Sequence, residues 1–245
     1  MIKFKKYDPS MFKSDEFEET LFHFSTNNDE EFANSLVKLG MDSETFTSVA
    51  LSVMTSKTAS DMRERVVARF LGFSPKDNDT KHGFDGFNDA NEPIEIKPKD
   101  VAFNTENSLD LSYNINDYTL VRLEKDKLID PHYALAGFID AQLVYIITFR
   151  FNDEPEFANS FEMQIKETLE KIKLTNKNRR TIGRISINNI PLGSIKVYTV
   201  LPKEDLISLK CCMHHTVFDI LMNHEAHGPE ARYVKSKSCI SDMFG

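Results

Sequence analysis

The chain has 245 residues, 40% of them hydrophobic, and its 30 basic and 38 acidic side chains leave a formal net charge of -8. That is enough chain to bury a real core, and the acidic balance argues against a protein that coats nucleic acid by bulk charge. No apolar run nears the roughly 20 residues that span a bilayer, and no apolar segment follows the lysines of MIKFKKYDPS, so a soluble, cytoplasmic protein is expected.

The first seventy residues read as helices. Apolar residues recur at helical intervals over 15–24 and 29–39, with Ser14 and Asn28 as N-caps and Gly40 as a stop. Asp42 or Ser43 caps a third helix to about Ser56, and a fourth over 60–71 places Met62, Val66, Val67 and Phe70 on one face. After Pro75 the period shortens, and HGFDGF and PIEIKPK form the two halves of a predicted hairpin. The stretch RLEKDKLIDPHYALAGFIDAQLVYIITFRF adds a further strand and ends in a buried one over 143–151. SFEMQIKETLEKIKL then reads as a helix. TIGRISINNI and SIKVYTVL are two more strands joined by a turn at Pro191 to Gly193, and a helix covers about Met213 to Met222. This order predicts an α/β (α+β) fold with a mixed central sheet flanked by helices. One domain is expected, with a helical N-terminal region over 1–57, a core over 58–200 and a C-terminal region over 201–245.

The hairpin carries the chemistry. Successive strand side chains point to opposite faces, so Glu95 and Lys97 share one face while Ile94 and Ile96 share the other. A turn centred on Ala90 puts Asp85 opposite Glu95, where Cβ atoms are about 5 Å apart and like charges destabilise unless something neutralises them. A divalent cation with hard oxygen ligands, Mg2+, is the usual neutraliser. Lys97 beside it can hold an attacking water or stabilise a phosphate, and together these groups describe phosphodiester hydrolysis. Pro98, with no N–H, predicts that the strand ends there and that Lys99 leaves the sheet to lie over solvent or a phosphate.

Asp85 followed by Glu95-Ile96-Lys97 on a hairpin after a helix resembles the PD-(D/E)xK nuclease superfamily, which includes many restriction endonucleases. The resemblance covers about residues 60–100 and departs from the motif's name in that Phe84, not proline, precedes Asp85. It implies a restriction-endonuclease-like fold, with Asp85 and Glu95 as Mg2+ ligands and Lys97 near the attacking water. Glu64, in the preceding helix, stands where many members add a glutamate to the site. The activity implied is that of a Mg2+-dependent DNA endonuclease, most like a type II restriction enzyme, acting on double-stranded DNA as a homodimer.

The basic segment over 166–184 carries seven cations against two acids, and it contributes Lys177, Arg179, Arg180 and Arg184, with Lys99, as candidate DNA contacts. A solvated helix end is the other account of that segment. Cys211, Cys212 and Cys239 form no disulfide framework, which suits a reducing compartment. His214, His215, His224 and His227 match no zinc spacing. Two further readings stand beside the nuclease. One is a DNA-binding or assembly protein that keeps the fold without catalysis, and the other is a partner-binding α/β domain.

Overall fold

The computed structural model describes residues 14–56, 59–75, 83–101, 112–116, 118–153, 155–175, 182–186 and 190–228. Among the described residues four helices come first: α1 (Asp15–Ser25), α2 (Asp29–Leu39), α3 (Ser43–Met54) and α4 (Ala59–Phe70). Their starts are those the side chains dictate. Ser14 Oγ accepts the Phe17 N–H at 3.2 Å and Asp42 Oδ1 accepts the Thr45 N–H at 2.8 Å, each satisfying an otherwise orphaned helix donor. Gly40, at φ +68°, takes the left-handed conformation that closes α2.

The strands are β1 (Ser74–Pro75), β2 (Gly86–Phe87), β3 (Pro93–Asp100), β4 (Ser112–Asn116), β5 (His132–Ile139), β6 (Gln142–Arg150), β7 (Ile182–Ser186), β8 (Lys196–Thr199) and β9 (Ala226–His227). Between and after them lie α5 (Leu120–Ile129), α6 (Pro155–Thr175), α7 (Lys203–Ser208) and α8 (His215–Asn223). Among the described residues seven strands form one mixed sheet in the order β1-β2-β3-β5-β6-β8-β9, with β3/β5 and β8/β9 parallel and the other pairs antiparallel. This is the expected mixed sheet flanked by helices.

Two cores sandwich the sheet. Phe17, Phe46, Met54, Val67 and Phe70 of α1, α3 and α4 pack on Ile94, Ile96, Ala134, Ala136 and Phe138. On the opposite face Tyr133, Leu135, Ile147 and Phe149 meet Leu123 of α5, Phe157, Phe161 and Ile165 of α6, and Tyr113 and Ile185. Burying each large side chain contributes roughly 1.5–3 kcal/mol. Ile94 and Ile96 therefore anchor β3 from one side and leave Glu95 and Lys97 to the other.

Several elements differ from the sequence reading. TIGRISINNI and SIKVYTVL go to different sheets: β7 pairs with β4 in a separate two-stranded ribbon, and β8 joins β6 in the main sheet. The sequence pattern indicates neither α5 nor α7, and α6 begins at Pro155, earlier than the apolar period indicates.

The strand β3 also continues through Pro98, pairing in parallel with β5 from Ile94↔His132 to Asp100↔Phe138. The physical reason lies in backbone parity. The Ile96 N–H points to the hairpin side, where Asp85 takes it, so the N–H that Pro98 lacks would point the same way. On that side, among the described residues, β2 pairs only with Pro93 and Ile94, leaving the later part of β3 an edge within the main sheet. The ladder to β5 loses nothing, and Lys99 stays in the sheet on the same face as Lys97.

Candidate functional site

The turn between β2 and β3 is built by its own side chains. Asn91 sits at φ +60°, the Asn88 N–H donates to the Glu92 carbonyl at 3.1 Å, and Asn88 Oδ1 accepts the Glu92 N–H at 2.8 Å. Arg150 Nη1, at the end of β6, donates to Glu92 Oε1 at 2.9 Å and clamps the turn to the sheet. The pairing Gly86↔Ile94 and Phe87↔Pro93 is the register expected for a turn centred on Ala90.

Asp85 departs from that register. Its N–H donates to the Ile94 carbonyl at 2.9 Å, one step out of phase, and its Oδ2 accepts the Ile96 N–H at 2.6 Å. The side chain thus occupies the position a longer β2 would fill with backbone. The direct opposition of Asp85 and Glu95 gives way to a carboxylate bound along the β3 edge.

Glu95, only 5% exposed, is held at both oxygens. Lys97 Nζ lies 2.8 Å from Oε1 and Arg122 Nη2 lies 2.9 Å from Oε2, while Lys97 is 4.0 Å from Asp85 Oδ2. Glu64 receives the Ser60 hydroxyl at 2.7 Å. Glu64, Glu95, Lys97, Lys99 and Tyr113 line one cleft of about 490 Å³ along the edge of β3. The structure therefore brings Glu95 and Asp85 to the Lys97 ammonium, with Glu64 on the same cleft wall and Lys99 farther along it, 5.9 Å from the Tyr113 ring.

Burial sets the charges apart. Desolvation, reinforced by Glu95 and only partly offset by Lys97, pushes the Asp85 carboxyl up to about 8. Desolvation also raises Glu64, against the Ser60 hydrogen bond. Glu95 is more deeply buried, yet Lys97 and Arg122 outweigh desolvation and hold it below the ordinary carboxylate range. Lys97 is raised in turn: burial alone would lower it, but Glu95 and Asp85 keep it protonated.

Arg122 is the member of this cluster that sequence reading missed. It lies on α5, donates through Nε to Asp126 Oδ1 at 2.7 Å, and stacks its guanidinium 4.5 Å from the Phe84 ring. The helix had a readable start: Thr119 accepts the Arg122 N–H at 3.1 Å as an N-cap, and Arg122 with Asp126 is an i,i+4 pair of opposite charge.

The donor set suits Mg2+ in kind. Mg2+ takes hard oxygen ligands and is commonly held by one or two carboxylates together with water and substrate phosphate. Asp85 and Glu95 supply two such groups, and Asp85, whose proton affinity burial and then Glu95 raise, is a carboxylate whose charge a bound cation would stabilise. A closed cage is another matter. Among the described residues no group of three or more His, Cys, Asp or Glu side chains is gathered closely enough to hold a metal ion.

Of the other candidate DNA contacts, Arg184 lies on β7 directly across from Asn114 of the cleft wall. Lys177, Arg179 and Arg180 lie outside the described residues. Within α6, Lys166 pairs with Glu162 at 2.6 Å and Lys171 with Glu167 at 3.9 Å, so the helical part of the basic segment carries its own counter-charges. No helix among the described residues is long and apolar enough to cross a membrane. No protein-family model matches the chain, and no curated protein matches it.

Proposed function

We propose that this chain is a Mg2+-dependent DNA endonuclease that hydrolyses phosphodiester bonds, most like a type II restriction endonuclease. One observation carries the reading: Lys97 is held protonated 2.8 Å from the Glu95 carboxylate and 4.0 Å from the Asp85 carboxyl, at the edge of an open cleft. Ionisable groups shifted by burial and by one another beside a cleft are the arrangement a functional site presents.

Asp85 and Glu95 would hold the metal, and a bound Mg2+ supplies a water of lowered pKa and a positive charge beside the scissile phosphate. The protein's own residues do the rest. Lys97, as an ammonium, orients the attacking oxygen and stabilises the negative charge that grows on the phosphate. It is not a general base in the metal-free site, because Glu95 and Asp85 hold its proton. Glu64 adds a third carboxylate at the cleft wall. Lys99 sits one inward-facing position beyond Lys97 and meets a backbone phosphate of the same strand. Cutting both strands of a duplex would use two copies of the chain.

A second reading has its own observation. Both oxygens of Glu95 are engaged by cations, which is the arrangement of a buried structural ion pair, and a fold of this kind could bind DNA or assemble without catalysis. Incubating the purified protein with supercoiled plasmid in Mg2+, with and without chelator, separates the two. Nicked or linear product that chelator abolishes supports the nuclease. Intact plasmid across Mg2+ and Mn2+, together with retained DNA binding, supports the second reading.

A further inference from the structure

We infer that Arg122 is a positioning residue of this site, fixing the Glu95 carboxylate directly from α5 and bracing the segment that carries Asp85. The inference rests on the nuclease reading above. Its geometry is specific. Arg122 Nη2 donates to Glu95 Oε2 at 2.9 Å, and the same guanidinium stacks 4.5 Å from the ring of Phe84, the residue immediately before Asp85. One side chain therefore touches the Glu95 carboxylate directly and the Asp85 segment through its neighbour. The Asp85 segment leads into a hairpin whose ladder is only two residue pairs long, extended by the bonds of Asp85 to Ile94 and Ile96, and Arg122 braces it from the α5 side.

The guanidinium is itself held from behind. Its Nε donates to Asp126 Oδ1 at 2.7 Å, and Asp126 Oδ2 accepts the hydroxyls of Tyr118 at 2.8 Å and Tyr133 at 3.0 Å. Asp126 is fully buried. These contacts hold the arginine at Nε, at Nη2 and on its flat face, and so hold Glu95 Oε2 toward α5. Lysine cannot replace it. An ammonium is a point charge, whereas the planar fork reaches Glu95 and Asp126 together and lies flat on Phe84.

A side chain that only stabilised the fold would change the melting temperature and nothing measured per folded molecule. A positioning role predicts two opposite changes. In Arg122→Met, Ca2+ alone, titrated by calorimetry, should bind several-fold tighter, because a like charge beside Glu95 is gone. The single-turnover cleavage rate at saturating Mg2+ and DNA should nevertheless fall about 10- to 100-fold, the usual cost of losing a group that orients a metal ligand. Arg122→Lys restores the charge and is the safer variant for folding. It should return Ca2+ affinity to the wild-type value and leave the rate low.

Unchanged rates in both variants overturn the inference, as does an Arg122→Lys that recovers rate and affinity together. Wild-type protein that binds Ca2+ but cuts no DNA sinks the nuclease reading, and Arg122 is then judged on Ca2+ affinity, where equal values for wild type and Arg122→Met overturn it. Wild type that binds no Ca2+ overturns both.

Discussion

Asp85 accepts the backbone N–H of Ile96 at 2.6 Å, so a candidate metal ligand also terminates the hydrogen-bond ladder of the strand that carries the rest of the site. An asparagine can keep that bond through its own carbonyl oxygen while shedding the charge. Burial and Glu95 raise the Asp85 carboxyl from an ordinary 3.8 to about 8, so between those values the folded protein keeps a proton that the unfolded chain releases. Stability tied to this group is present below pH 4 and is lost as pH rises through about 8. Metal-free Asp85→Asn should therefore melt above wild type at pH 8, with the gap closing as pH falls toward 4. Melting curves across that range check it, and a gap that widens in acid would reverse the assignment.

Glu95 should behave in the opposite way. Its carboxylate neutralises two half-buried cations, Lys97 at 2.8 Å and Arg122 at 2.9 Å. Removing one partner of such a cluster leaves the others uncompensated, at a cost of up to about 3–5 kcal/mol. Glu95→Gln should melt below wild type in metal-free buffer at pH 7 while Asp85→Asn does not. Equal shifts of the same sign would mean that the two carboxylates share one environment.

Lys97 and Lys99 share a face of β3 but differ in company. Lys97 is locked between Glu95 and Asp85, whereas Lys99 lies toward Tyr113 farther along the cleft. Lys97→Met should lose about 10²- to 10³-fold in single-turnover cleavage and still bind duplex DNA in Ca2+. Lys99→Met should weaken binding and reduce the dependence of log affinity on log salt by about one unit, with a near-normal rate at saturating DNA. Gel-shift and cleavage assays on the same duplex distinguish them. Small and equal losses in both would reduce Glu95-Ile96-Lys97 to an ordinary strand.

The cleft wall depends on packing deeper in the sheet. Gly137 of β5 leaves room for Tyr145, whose ring occupies the space a Cβ would take, and the Tyr145 hydroxyl meets that of Tyr113 at 3.2 Å. Gly137→Ala should force Tyr145 off its position and cost about 1–3 kcal/mol, read from chemical denaturation. A stability equal to wild type would show that Tyr145 relaxes freely.

Much of this architecture was legible because local signals agreed. Ser14, Asn28, Asp42 and Gly40 mark helix ends that the folded chain uses, and the turn residues around Ala90 set the true hairpin register. What escaped was non-local. Pro98 reads as a strand end unless it is known that its N–H side faces an open edge. Arg122 stands 27 residues from Glu95 in the chain and meets it only through the packing of α5. The two strands around Pro191 look like a hairpin by spacing, yet β4, itself a short strand, claims one of them.

The central claim is that the cluster around Lys97 cuts DNA, and Asp85→Asn tests it with least disturbance to the fold. Single-turnover cleavage of a linear duplex should be measured for wild type and Asp85→Asn in saturating Mg2+, with melting curves taken on the same samples. The account predicts Mg2+-dependent cutting by wild type and a loss of at least about 100-fold in a variant that is folded at the assay temperature. Equal cleavage by the two proteins, or none by wild type in any divalent cation, would contradict it.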